Sequence, residues 1–210
     1  MRAAQLGKSP ESPLTLLASF RERDFPAGEQ FAYGSAQTTV LGYVVARATG
    51  KSVSELTSQW LWQPIGAKAS AYWNTGVDGQ EGVEGGFNAT LRDYGRLGLL
   101  LAGDGRVGDK QIVPKQYLLE ATSVSQQPEA FRPGKATTYF GYGYQFWLYP
   151  MKQRTFALLG IFGQSIFVQP DAELVLVILS VGAEPRSQAL GIERDALWRG
   201  VLTALGGKIE

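Results

Sequence analysis

Tyr33 opens the run Tyr33-Gly34-Ser35, and apolar residues then recur at helical spacing through Val40, Leu41, Val44, Val45 and Ala48, with Gly50 where a helix would stop. A tyrosine one turn or less before a helix amino terminus is either a packing aromatic or a base aimed into a cleft. The hydroxyl of Ser35 has two readings as well, a helix-entry cap or a site group. A serine hydroxyl is a weak nucleophile at neutral pH and needs a neighbouring base to take its proton.

The rest of the composition narrows that base chemistry. The 210 residues include no His and no Cys. This removes the Ser-His-Asp triad, the cysteine nucleophile and the usual zinc sites. No clustered Asp motif of the EF-hand kind is present. Disulfides are excluded, which leaves the compartment undetermined. Twenty Lys and Arg against 19 Asp and Glu give a net charge of +1, so no basic field is available for nucleic acid. The amino terminus is interrupted by Lys8, Pro10, Glu11 and Pro13 and reads as no export signal. No window approaches the roughly 20 apolar residues of a membrane helix. Neither a nucleic-acid partner nor a membrane is therefore expected.

The elements that must position Tyr33 follow from periodicity. Residues 12–22 predict a short helix with Ser12 as cap and Pro13 at its first position. A loop carries Tyr33, and a helix follows over 38–49. Ser52 with Glu55 has the spacing of a capping box and begins another helix that ends at Pro64 and Gly66. Residues 67–90 read as loops with a short hairpin, in which Glu84-Gly85-Gly86 is a turn. Further helices are predicted after Thr90, with Asp93 in the first turn serving the dipole, and over 115–122. The aromatic run 137–149 suggests one strand. Three strand-like runs follow, Arg154–Leu159, Ser165–Gln169 and Leu174–Ser180, before a carboxy-terminal helix. Tyr72, Trp73, Tyr142, Tyr144 and Trp147 are candidates for an apolar pocket, although such residues are more often core.

Three stretches, "PAGEQFAYGSAQTTVLGYVVARATGKS", "QPIGAKASAYWNT" and "EGGFNATLRDYGRLGLLLAGDG", resemble in order and spacing the serine beta-lactamase superfamily of class C type. Within it, the 6-aminohexanoate-dimer hydrolases and related esterases are the most similar group. The resemblance covers roughly residues 10–205. It implies a catalytic Tyr33, with Ser35 completing the tyrosine motif, working beside the Lys of a Ser-x-x-Lys segment whose Ser is the nucleophile. It places the third family motif at Ile161-Phe162-Gly163-Gln164, where Gly163 lets the strand approach the substrate and the Gln164 amide is an oxyanion donor. Only the glycine of that motif is retained. The missing Lys or His disfavours an acidic beta-lactam and favours amide or ester substrates. No metal and no cofactor are implied.

No serine in the sequence is followed three positions later by a lysine. In the family that motif lies upstream of the tyrosine, and only 32 residues precede Tyr33 here. The expectation is a carboxy-terminal portion of an α/β beta-lactamase-like domain over 1–210. It comprises a mainly helical region at about 36–125, and an antiparallel sheet of three strands with a carboxy-terminal helix at about 137–207. Such a portion would be inactive alone. It would need an amino-terminal complementing segment or would associate through an exposed edge at Leu174–Ser180. The rival reading is a non-catalytic binding module or degenerate remnant of that family.

Overall fold

The computed structural model describes residues 13–76 and 78–210. The chain forms two compact units, one of Ala32–Thr90 with the described residues up to Pro26, the other of Ala27–Phe31 with Leu91–Glu210.

In the first unit α1 spans Pro13–Ser19, with its expected cap Ser12 outside the described residues. Helix α2 spans Ser35–Thr49 and ends at Gly50, whose φ of 66° is the left-handed conformation expected of a helix stop. Helix α3, Val53–Thr57, begins with the capping box read from sequence: Ser52 Oγ accepts from Glu55 N at 3.1 Å, and Ser52 N donates to Glu55 Oε2 at 2.8 Å. Ser54 N donates to Glu81 Oε1 at 2.8 Å, which satisfies another amino-terminal donor. The helix runs on as a wider turn over Ser58–Trp62 that places Trp62 edge-on to Phe87 at 5.0 Å. Phe87 lies in β2 (Phe87–Asn88), paired antiparallel with β1 (Tyr72–Trp73).

The second unit is built on a sheet of five antiparallel strands in sequential order: β5 (Gly141–Gly143), β6 (Phe146–Leu148), β7 (Phe156–Leu159), β8 (Ser165–Gln169) and β9 (Leu174–Ile178). The sequence led to three of these. The aromatic run is a hairpin rather than one strand, because Tyr144 and Gln145 turn the chain with φ of 45° and 77° although neither is a usual turn residue. A smaller hairpin, β3 (Arg106–Val107) with β4 (Lys110–Gln111), was also not foreseen.

Alternation along β8 divides the core in two. Ile166 and Val168 join Leu148, Phe156, Leu101 and Leu118 on one face, under α4 (Leu91–Ala102) and α5 (Lys115–Thr122). Phe167 joins Tyr149, Ala157, Trp198 and Leu202 on the other, under α6 (Gln188–Ala204). A strand covered on both faces reads as a continuous apolar run, which is why it was legible. Helix α4 lies close on the sheet through Gly98, where a Cβ would fall 2.4 Å from Val175 Cγ1. Buried Gln169 fastens the carboxy-terminal segment: its amide donates to Lys208 O and Thr155 Oγ1 and accepts from Lys208 N, all within 2.8 Å. Among the described residues β9 is paired on one side only.

One ion cluster gives the fold a pH dependence. Asp104 accepts from Arg154 and lies 3.2 Å from Lys115. Burial of the carboxyl opposes its ionisation, but the bonds and charges of Arg154 and Lys115 outweigh it and hold Asp104 below the usual aspartate range. The stabilisation is thus fully present above the unfolded value of about 4 and is lost as pH falls through the lower folded value. The stability gap between the wild type and Asp104→Asn, followed by urea unfolding, is expected to narrow as pH drops below about 4. A gap that stays constant would contradict this.

Among the described residues no helix is long and apolar enough to cross a membrane, and no group of three acidic side chains is placed to hold a metal ion.

Candidate active site

Tyr33 lies in the extended segment before α2 and is 57% exposed. It is therefore not buried in a core. Gly34, with φ −149° and ψ 133°, is the residue that enters the helix, and it makes no side-chain cap. Ser35 is therefore the first helical residue and not the cap, which corrects one of its two readings.

The helix entrance is held by a contact between residues 45 apart in sequence. Thr39 Oγ1 is 3.0 Å from Ser35 O and 3.2 Å from Glu84 Oε2, so its one proton has two acceptors. The Glu84-Gly85-Gly86 turn thus does more than reverse the chain: it fastens α2 one turn beyond its first residue, Ser35. Gly42 completes this seam, since a Cβ there would lie 2.7 Å from Val83 Cγ2.

Several other tyrosines have phenols held more firmly in the protonated form. Tyr43 donates to Asp78 at 2.5 Å, and burial together with that carboxylate pushes its phenol up. Burial likewise raises Tyr94, Tyr117, Tyr139 and Tyr149, the last two lying near Asp195. A phenol pushed up keeps its proton at neutral pH.

Gly163 and Gln164 lie together in the loop between β7 and β8. Gly163 has φ +94°, and a Cβ there would sit 2.6 Å from Leu190 Cδ2 and 3.0 Å from Ser180 Oγ, so both backbone and space call for glycine. The Gln164 side chain is used inside the loop, accepting from Phe162 N at 3.2 Å and donating to Ser180 O at 2.9 Å. Any donor role toward a substrate therefore falls to its main-chain N–H. Behind the loop, Arg194 donates to Ser165 Oγ, which donates to Gly163 O, each at 3.2 Å. This chain of bonds stiffens the carbonyl preceding Gln164.

The structure thus brings Tyr33 together with Ser35, and Gly163 with Gln164, one pair in each compact unit. The aromatic candidates divide. Tyr72 and Tyr144 are exposed, whereas Trp73 packs on Phe87 at 4.7 Å and Tyr142 and Trp147 pack with Phe31. Asp93 stands in the first turn of α4, as read for the helix dipole, and is also buried and paired with Arg96 at 2.8 Å.

A family profile described as Beta-lactamase matches residues 12–197, and the chain belongs to that family. It is 30% identical over 159 residues to the 6-aminohexanoate-dimer hydrolase of Paenarthrobacter ureafaciens, a match covering 74% of this chain and 40% of that protein. A Bacillus anthracis structure solved as a candidate 6-aminohexanoate-dimer hydrolase superposes with TM-score 0.79 at 26% identity, over 94% of this chain and 50% of that one. A beta-lactamase from Mycobacterium bovis shares the fold at TM-score 0.64 and 19% identity, over 86% of this chain and 66% of that one. The chain spans half or less of the length of the first two relatives.

Proposed function

We propose that this chain is the tyrosine-bearing, carboxy-terminal portion of a serine hydrolase that cleaves amide or ester bonds. The observation that carries this reading is the exposed Tyr33 at the entrance of α2, in a sequence with no Ser-x-x-Lys. In the assembled site a serine from an amino-terminal segment attacks the carbonyl carbon, and its proton passes to Tyr33, whose basicity is set by the lysine one turn from that serine. The carbonyl oxygen becomes an oxyanion held by the Gln164 N–H. Collapse expels the amine or alcohol with the proton returned through Tyr33, and water then releases the acid by the same relay. The proton transfers need no metal or cofactor. The relative from Paenarthrobacter, a 6-aminohexanoate-dimer hydrolase, points to amides as the substrate class.

The reading makes the chain inactive by itself and active with an amino-terminal segment carrying the Ser and Lys. p-Nitrophenyl butyrate turnover by the purified chain, with and without that segment, tests it. Gly163→Ala is expected to lower turnover of the assembled hydrolase by about 10²-fold or more, the scale of losing one oxyanion donor. A variant within twofold of wild type would remove the β7–β8 loop from the site.

The absence of Ser-x-x-Lys also supports a second reading, a module that holds an acyl or peptide ligand without cutting it. Under that reading β9, paired on one side only among the described residues, associates with a second copy. Unchanged Kd for a linear amide on adding the segment, with no turnover, would favour it.

A further inference from the structure

The end of β7 opposite Gly163 carries a second polar hollow. The chain leaves β6 at Leu148 and enters β7 at Phe156, and Tyr149 N donates to Thr155 O at 2.9 Å to close the loop between them. This loop and the turn that follows α5 line a cavity of about 390 Å³, a size found among small-molecule sites. Arg132, Lys152 and Arg154 line it, and no Asp or Glu does. These cations are held in different ways. Arg154 donates to Asp104 and, at 3.1 Å, to buried Thr122 Oγ1, so its guanidinium is fixed and its charge is answered. Arg132 Nε donates to Gln127 O at 2.9 Å, and the buried Gln127 amide is itself fastened to Glu120 O and Ser123 O. The terminal nitrogens of Arg132 and the Lys152 ammonium have no carboxylate or other protein partner among the described residues. A chain whose net charge is +1 thus gathers two unanswered cations on one hollow.

We propose that this cavity binds a small phosphate monoester. A phosphoryl group carries a charge of about −1.5 to −2 at neutral pH and three acceptor oxygens, which matches the two unanswered cations. The fork of Arg132 suits two of those oxygens at once, and Lys152 answers the third as a point charge. The hydroxyls of Ser123 and Ser125, which also line the cavity, supply further donors. Val124 and Met151 complete the lining with apolar surface, so the ligand has an organic body and is not a bare ion. A carboxylate would bring a single charge and leave one cation unanswered. All the groups involved lie in one compact unit, at the far end of β7 from the Gly163 loop. The inference is therefore independent of the function proposed above.

Isothermal titration of the purified 210-residue chain tests this, with phenyl phosphate, inorganic phosphate and benzoate as probes. The salt is set at about 0.15 M, which screens diffuse surface charge beyond about 8 Å. One phenyl phosphate per chain is expected to bind, with a Kd of about 1 mM or below. Arg132→Ala and Lys152→Ala are each expected to weaken binding by about tenfold, the scale of one hydrogen bond to a charged group. Arg132→Lys should fall between Arg132→Ala and wild type, because it keeps the charge and loses the fork. Lys110→Ala, exposed on β4 and outside the cavity, should bind as wild type does. Inorganic phosphate should bind more weakly than the ester, having nothing to set against Val124 and Met151. Hydrogen exchange should slow at residues 122–132 and 149–155 when phenyl phosphate is added. Lys152 is exposed and has no protein partner among the described residues, so its variant decides should Arg132→Ala fail to fold. No saturation by about 10 mM, equal weakening by Lys110→Ala, or protection confined to other segments would each overturn the site. Benzoate or inorganic phosphate binding as tightly as phenyl phosphate would overturn the ligand class.

Discussion

Tyr33→Phe is expected to lower kcat/KM of the assembled hydrolase for p-nitrophenyl esters by about 10²- to 10⁴-fold, the range for removing a positioned general base. The loss should fall on kcat, with KM little changed, because the role proposed for the phenolic oxygen is proton transfer and the ring is kept. Fold stability should not move measurably: Tyr33 is 57% exposed, and surface substitutions usually stay within about 0.5 kcal/mol. Tyr43→Phe is the control, since Tyr43 is bonded to Asp78 with its phenol pushed up and has no base to lose. Equal losses in the two variants would show that the phenols matter for structure rather than for proton transfer.

Trp198→Ala is expected to cost about 3–5 kcal/mol of unfolding free energy, the range for truncating a large buried aromatic. Trp198 is fully buried on α6 and stacked on Phe167 of β8, with ring centroids 5.5 Å apart and an interplanar angle of 15°. It holds the helix onto one face of the sheet through the cluster that includes Tyr149, Ala157 and Leu202. Its indole N–H is buried and has no hydrogen-bond partner among the described residues. Trp198→Phe removes that donor and keeps much of the ring contact, so it should cost far less than alanine. Urea unfolding of the three proteins checks the order, and an alanine variant within about 1 kcal/mol of wild type would show that the α6 contact contributes little.

The parts of this fold legible in the sequence are those whose signal is local. The Ser52 and Glu55 box, the helix over 115–122, and the apolar run of β8 flanked by Gly163 and Pro170 each sit within one window, and each is where it was read. The β5–β6 hairpin escaped because Tyr144 and Gln145 adopt positive φ without the glycine or asparagine that normally marks such a turn. Periodicity located α2 but could not say which way it faces. That depends on Glu84 and Val83, some 40 residues away, which reward a threonine and a glycine on the inner side.

The candidate site follows the same division. Tyr33 and Gly163 stand out by motif and by backbone demand, and the structure gives each a local reason: exposure for one and φ +94° for the other. The support behind them was hidden. The Thr39 bond to Glu84 and the relay from Arg194 through Ser165 to Gly163 join residues 29 to 45 apart, and nothing in a single window announces them.

The most direct test of the central claim is the rate of p-nitrophenyl butyrate hydrolysis by the purified, folded chain before and after adding an amino-terminal segment bearing Ser-x-x-Lys. The account predicts no turnover above background from the chain alone, turnover on addition, and its loss in Tyr33→Phe. Tyr33-dependent turnover by the chain alone, or a folded complex that stays inactive, would contradict it.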